Sequence, residues 1–156
     1  TGAMRRAQKP LGRRIRPSER RSRLVFLEEL VVVYRDDALQ IKRVTCVLDC
    51  GFIIDPDTVR AQMEGGIVFG LSAALFGEIT FKNGRVQEGN FDDYPMLTLR
   101  QMPKVETHIV ASGDFWGGVG EPTTVIAAPA VLNAIFAATG KRIREVPLKN
   151  SGLKTA

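Results

Sequence analysis

Two apolar runs separated by three charged residues set the first constraint on this chain. Leu24 to Tyr34 and Leu39 to Leu48 are rich in Val, Ile, Leu and Thr, and Arg35-Asp36-Asp37 lies between them. β-branched residues favour extended backbone and the charged triplet supplies turn chemistry, so the runs predict two antiparallel strands. Strands of that length present an apolar face that another layer has to cover.

The second run ends at Asp49-Cys50-Gly51, and Asp55-Pro56-Asp57-Thr58 follows. Asp55 as N-cap, Pro56 at the first helical position and acids in the first turn predict a helix reaching to Phe76. Val59, Met63, Ile67, Leu71 and Leu75 form its i, i+4 stripe, while Gly65, Gly66 and Gly70 interrupt the opposite side. Each glycine costs a helix about 1 kcal/mol relative to alanine. Something therefore comes close to that backbone, whether the sheet, a ligand or a partner chain.

Asn83-Gly84 within FKNGRV predicts a hairpin with a two-residue turn. Residues 89–103 have no sustained period and contain Pro95 and Pro103, which reads as an irregular crossing segment. Val105 to Ala111 alternates as a strand. Val125 to Ala138 is an apolar helical run closed by Gly140, with Pro129 placed in a first turn or at a kink. Ile143 to Pro147 reads as a short final strand, after which residues 151–156 are expected to fray. The order β, β, α, β, β, β, α, β predicts an α+β fold. Its expected form is a two-layer sandwich of a mostly antiparallel or mixed sheet with two main helices, one lobe over residues 24–150.

Residues 1–23 hold eight Arg, one Lys and one Glu, so this leader carries the whole positive charge while the remaining residues are net acidic. It reads as a solvated, disordered tail rather than a phosphate-contacting arm, which leaves nucleic-acid binding as a minor reading. Its first four residues, Thr1-Gly2-Ala3-Met4, have the look of a cleaved tag remnant. Glu28 and Glu29 break the apolar run that follows the arginines, and no run of about 18 apolar residues is present to span a membrane.

Cys46 and Cys50 would fall on one face of a strand about 13 Å apart, too far for a disulfide. Reduced thiols point to a reducing compartment, the cytoplasm. With His108 as the single histidine, no metal-ligand cluster can be assembled.

The stretch GDFWGGVGEPTTVIAAPAVLNAIFAATG places Gly117, Gly118 and Gly120 around Glu121, just before a helix. Unpaired N–H groups at a helix start suit an anion or a docked cofactor. A phosphate loop requires Lys and Ser/Thr where this run continues Glu121-Pro122-Thr123, and a carboxylate would repel phosphate. What remains is an acid beside main chain that lets something large approach. On the residues alone, a helix-capping acid and a general base both fit Glu121.

VTCVLDCGFIIDPDTVRAQMEGGIVFGLSAALFGEITFKNGRVQEGNFDDYPML, GGVGEP and APAVLNAIFAATGKRIREVPL together resemble the C-terminal molybdopterin-binding region of molybdenum hydroxylase large subunits. These form the xanthine dehydrogenase and aldehyde oxidase family, and the similar branch is that of isoquinoline 1-oxidoreductase and bacterial aldehyde oxidoreductases. The resemblance implies a molybdopterin-type molybdenum cofactor, either plain or as its cytosine dinucleotide. It implies Glu121 as the catalytic base in a water-derived hydroxylation of an N-heterocycle or aldehyde, with electrons leaving through an iron–sulfur subunit or domain. The QMEGG match implies that Gln62 hydrogen-bonds the pterin while Gly65 and Gly66, like Gly118 and Gly120, permit its close approach. No residue of this chain is implied as a direct metal ligand. Phe115 and Trp116 are candidates for a substrate funnel, or for the core.

Large subunits of the family are several times longer, and the leader does not resemble their upstream sequence. The resemblance thus implies one lobe of a cofactor site, expected to be inactive alone and without bound cofactor until the rest of the large subunit joins it. Some relatives are periplasmic rather than cytoplasmic. The alternative is a non-catalytic truncated remnant or assembly module that forms homo-oligomers through apolar surface.

Overall fold

The computed structural model describes residues 25–35, 38–113 and 116–155. The basic leader and Phe115 lie outside the described residues. Strand β1 (Val25–Arg35) pairs antiparallel with β2 (Ala38–Asp49). The register shifts between Val31 and Val32, where Lys42 becomes the extra residue of a β-bulge. That extra residue keeps the alternation useful: Leu39 and Ile41 before the bulge, and Val44, Cys46 and Leu48 after it, all face the core. Strict period-2 alternation would instead have turned Arg43 inward.

Helix α1 (Pro56–Leu75) begins as its sequence predicts, with the Asp55 carboxylate accepting from the Asp57 and Thr58 amides. The Thr58 hydroxyl, and then the Thr58 and Asp57 amides, hold the Asp55 carboxyl below its ordinary value of 3.8. The cap is therefore complete above that value and is lost as pH falls through the lowered one. Met63, Ile67, Leu71 and Leu75 are buried one turn apart along the helix.

The hairpin of β3 (Phe81–Lys82) and β4 (Arg85–Val86) turns through Asn83 and Gly84, both at positive φ, as a type I′ turn demands. The irregular stretch that follows is tied to α1 by a buried serine. Ser72 Oγ donates to the Val68 carbonyl at 2.8 Å and accepts from the Leu97 amide at 3.1 Å. Ser72→Ala is expected to leave the Leu97 amide without its partner and to cost about 1–2 kcal/mol. Urea unfolding with an unchanged m-value measures this, and an unchanged midpoint would mean that water replaces the serine.

Strand β5 (Lys104–Val110) joins the other edge of β2 in parallel, Val44 opposite Val105 and Leu48 opposite Ile109. The sheet is therefore mixed, antiparallel on one side of β2 and parallel on the other. Helix α2 (Pro122–Thr139) packs on β1 and crosses α1, which also contacts β5. Their buried side chains close one core with those of β2 and Leu148.

Two expectations are corrected at the C-terminal end, and one is narrowed. Helix α2 starts at Pro122, directly after Glu121, so of the two places expected for Pro129 the first turn is ruled out and the helix interior remains. Pro122 supplies the fixed φ of a first helical position, and burial of Thr123, Ala127 and Val131 offsets the amide that Pro129 lacks. No strand forms over residues 143–147, where Pro147 cannot donate to a ladder. Instead a 3-10 turn at Leu148–Asn150 buries Leu148, and the segment expected to fray supplies β6 (Lys154–Thr155), parallel to Ala38 and Leu39. By length and composition alone α2 would also suffice to cross a bilayer, against the expectation that no run is long and apolar enough. Its buried residues recur every three or four positions, the spacing of a helix seated on a core.

Candidate functional site

Helices α1 and α2 approach each other where α1 has no side chains. A Cβ at Gly70 would lie 2.5 Å from the Thr124 carbonyl oxygen and 2.8 Å from Ala127 Cβ, and one at Gly66 would collide with Thr123 Oγ1. Beside this crossing lies an open cleft of about 500 Å³. Ala61, Gln62, Gly65, Gly66 and Phe69 of α1 form one wall, and Gly120, Glu121, Thr124 and Val125 form the other. A second hollow of about 450 Å³ adjoins it, lined by Gly118, Gly120, Glu121, Pro122 and Val125. All six candidate residues thus meet at one place, with Glu121 on the wall that the two hollows share.

The glycines at these positions differ in what surrounds them. Gly66 meets α2, so its missing side chain serves helix packing. Nothing lies within 4 Å of a Cβ placed at Gly65 or Gly118, and at Gly120 the nearest atom is Gln62 Oε1 at 3.7 Å. None of these three sits at positive φ. Neither backbone conformation nor internal crowding calls for glycine there. Their bare main chain faces the cleft, where an added side chain would occupy space an incoming group could use.

Glu121 occupies the N-cap position of α2 with helical backbone, φ −112 and ψ −27, and its side chain makes no capping hydrogen bond. The first turn is closed by main chain instead, with the Thr124 amide donating to the Glu121 carbonyl at 2.9 Å. The carboxylate is exposed and forms no ion pair with a described residue. A cap that does not cap leaves the acid free for chemistry. The glycine run is anchored to the end of β2 by the Gly117 amide, which donates to the Cys50 carbonyl at 2.9 Å.

The cleft walls carry no Lys or Arg. Among the described residues, no three His, Cys, Asp or Glu side chains are grouped to hold a metal ion. Walls without cations, the Gln62 amide and the three bare glycines fit the planar part of a pterin-type cofactor, and with the Glu121 carboxylate among them they fit a free phosphate poorly. Ala61, Phe69, Thr124 and Val125 join the site here without being candidates on sequence grounds. Ala61, Gly65 and Phe69 recur every four residues on the face opposite the Met63 stripe, so the signal was present. Trp116 is 63% exposed against Phe52, ring centroids 6.4 Å apart, so it is not a core residue, and it lines neither hollow.

Two helices on a mixed sheet, with a cleft between α1 and the start of α2, define a cofactor-binding lobe. The chain belongs to the molybdopterin cofactor-binding domain family, which matches residues 25–103. It is 39% identical over 114 residues to isoquinoline 1-oxidoreductase subunit beta of Brevundimonas diminuta, covering 73% of this chain and 15% of that protein. It is 36% identical over 115 residues to a putative xanthine dehydrogenase molybdenum-binding subunit of Escherichia coli K12, covering 69% of this chain and 15% of that one. The solved structure of quinoline 2-oxidoreductase from Pseudomonas putida 86 matches with a TM-score of 0.61 at 25% identity, over 70% of this chain and 15% of that one. These relatives are molybdenum oxidoreductases, and the chain spans about 15% of their length.

Proposed function

We propose that this chain supplies one wall of the molybdenum-cofactor site in an oxidoreductase that hydroxylates N-heterocycles or aldehydes, with Glu121 as general base. The observation that carries the reading is an uncapped carboxylate at a helix start, in a cleft whose bare glycines face outward. When bound, the molybdenum cofactor supplies a two-electron oxidation in which the oxygen delivered to substrate derives from water. The Glu121 carboxylate accepts the proton that this oxygen gives up, Gln62 donates a hydrogen bond to the pterin edge, and Gly65, Gly118 and Gly120 admit the cofactor.

The remaining polypeptide of the large subunit forms the opposite wall, and an iron–sulfur subunit or domain accepts the electrons. With no cation in its walls, this lobe leaves any phosphate or cytosine dinucleotide extension to that other polypeptide. By itself the chain neither retains the cofactor nor turns over. Phe91 and Leu99, each 90% exposed, belong to surface the missing parts cover, and with them the helix pair and sheet become one layer pair of a larger sandwich. The buried thiol of Cys50 suits a reducing compartment such as the cytoplasm.

Gly118→Val tests the cofactor wall. Nothing surrounds that position, so the unfolding midpoint of the 156-residue chain should not move, while molybdenum bound by the assembled enzyme, measured by mass spectrometry, should fall sharply. Unchanged molybdenum content would place the cofactor elsewhere.

A further inference from the structure

We propose that Gly66 and Thr123 are positioning residues, a notch and a peg that fix where Glu121 stands relative to Gln62. The proposal rests on the reading of Glu121 as base. No hydrogen bond or ion pair to a described residue holds the Glu121 side chain, so its place is set by the first turn of α2 alone. That turn is fixed to α1 at two levels. Thr123, with no solvent-exposed surface, fills the space over Gly66, and the Thr124 main chain lies over Gly70, one helical turn further along.

One turn in the other direction along α1 stands Gln62, its Oε1 3.7 Å from the point a Cβ on Gly120 would occupy. Gln62, Gly66 and Gly70 therefore form an i, i+4, i+8 row that receives Gly120, Thr123 and Thr124 in order. A slip at the middle pair moves Glu121 away from Gln62. Thr123 is suited to this by stiffness, since a β-branched side chain has few rotamers to yield into. Its Oγ1 is buried with no hydrogen-bond partner among the described residues, so polar bonding to them does not account for its place against Gly66, whereas shape does.

The test compares Gly66→Ala, Thr123→Ala and the double variant in the 156-residue chain and in the assembled enzyme. In the chain, a nuclear Overhauser contact between the Gln62 side-chain amide and the Gly120 α-protons reports the register without any cofactor. Gly66→Ala should abolish that contact and lower kcat by about a hundredfold, with KM and molybdenum content unchanged. The double variant, in which the new methyl fills the space vacated by the threonine, should restore the contact and bring kcat back to within about threefold. If Gly66→Ala does not fold, Thr123→Ala decides alone: loss of both contact and kcat supports the notch, and retention of both overturns it. Loss of kcat that the double variant fails to rescue would also overturn it, making Gly66 a cofactor contact instead. Turnover retained by Glu121→Gln would remove the catalytic reading beneath, while the contact measurement would still report the register.

Discussion

Glu121→Gln in the assembled enzyme is expected to lower kcat by about 100- to 10,000-fold while leaving KM and molybdenum content where they were. The substitution keeps the size and shape of the side chain and removes only its ability to take a proton. Structure separates this prediction from the competing one. A capping acid would show a carboxylate bonded to the amide two or three residues on, and its loss would be read in stability. Here the first turn of α2 is begun by Pro122 and closed by main chain, and the Glu121 side chain contributes no cap. The unfolding midpoint of the Gln variant should therefore match that of the parent chain. Turnover that survives with cofactor bound would end the assignment, and a shifted midpoint with full turnover would restore the capping role.

Legibility followed the range of the physics. The bonds that start α1 lie within four residues of one another, and Asp55-Pro56-Asp57-Thr58 announces them. The positive φ angles at Asn83 and Gly84 belong to a two-residue turn that those residue types encode. Alternation marks β5 as a strand, but no local signal says that it joins β2 in parallel across more than fifty intervening residues. The C-terminal end hides its pairing for the same reason: Ile143 to Pro147 has strand composition, yet the edge of β2 beside Ala38 and Leu39 is taken by Lys154 and Thr155.

In the site, the resemblance through QMEGG and GVGEP points to Gln62, Gly65, Gly66, Gly118, Gly120 and Glu121, and these line two adjoining hollows. The motifs were not enough to separate two adjacent glycines. Gly65 and Gly66 differ by about 100° around the helix axis, and which of them meets α2 depends on a neighbour that sequence does not name.

That distinction yields a pair of predictions with opposite signs. Gly70→Ala is expected to destabilise the chain by about 1–3 kcal/mol, because its methyl would meet the Thr124 carbonyl oxygen at 2.5 Å. A backbone atom inside a packed helix cannot rotate away, so the cost falls on the crossing itself. Gly65→Ala, with nothing within 4 Å of its new methyl, should instead stabilise the chain by about 0.5–1 kcal/mol through helix propensity. Urea midpoints at constant m-value measure both effects. In the assembled enzyme the second gain should come with a loss, since the methyl that strengthens α1 projects into the cleft and should lower molybdenum content. A destabilised Gly65→Ala would mean that this face of α1 is packed against protein. A stabilised variant that keeps all its molybdenum would show that the cofactor does not approach this turn, and the vacant main chain at Gly65 would then need another explanation. Stability gained with cofactor lost is the combination that only an external occupant of the cleft produces, because no internal contact is present at Gly65 to be disturbed.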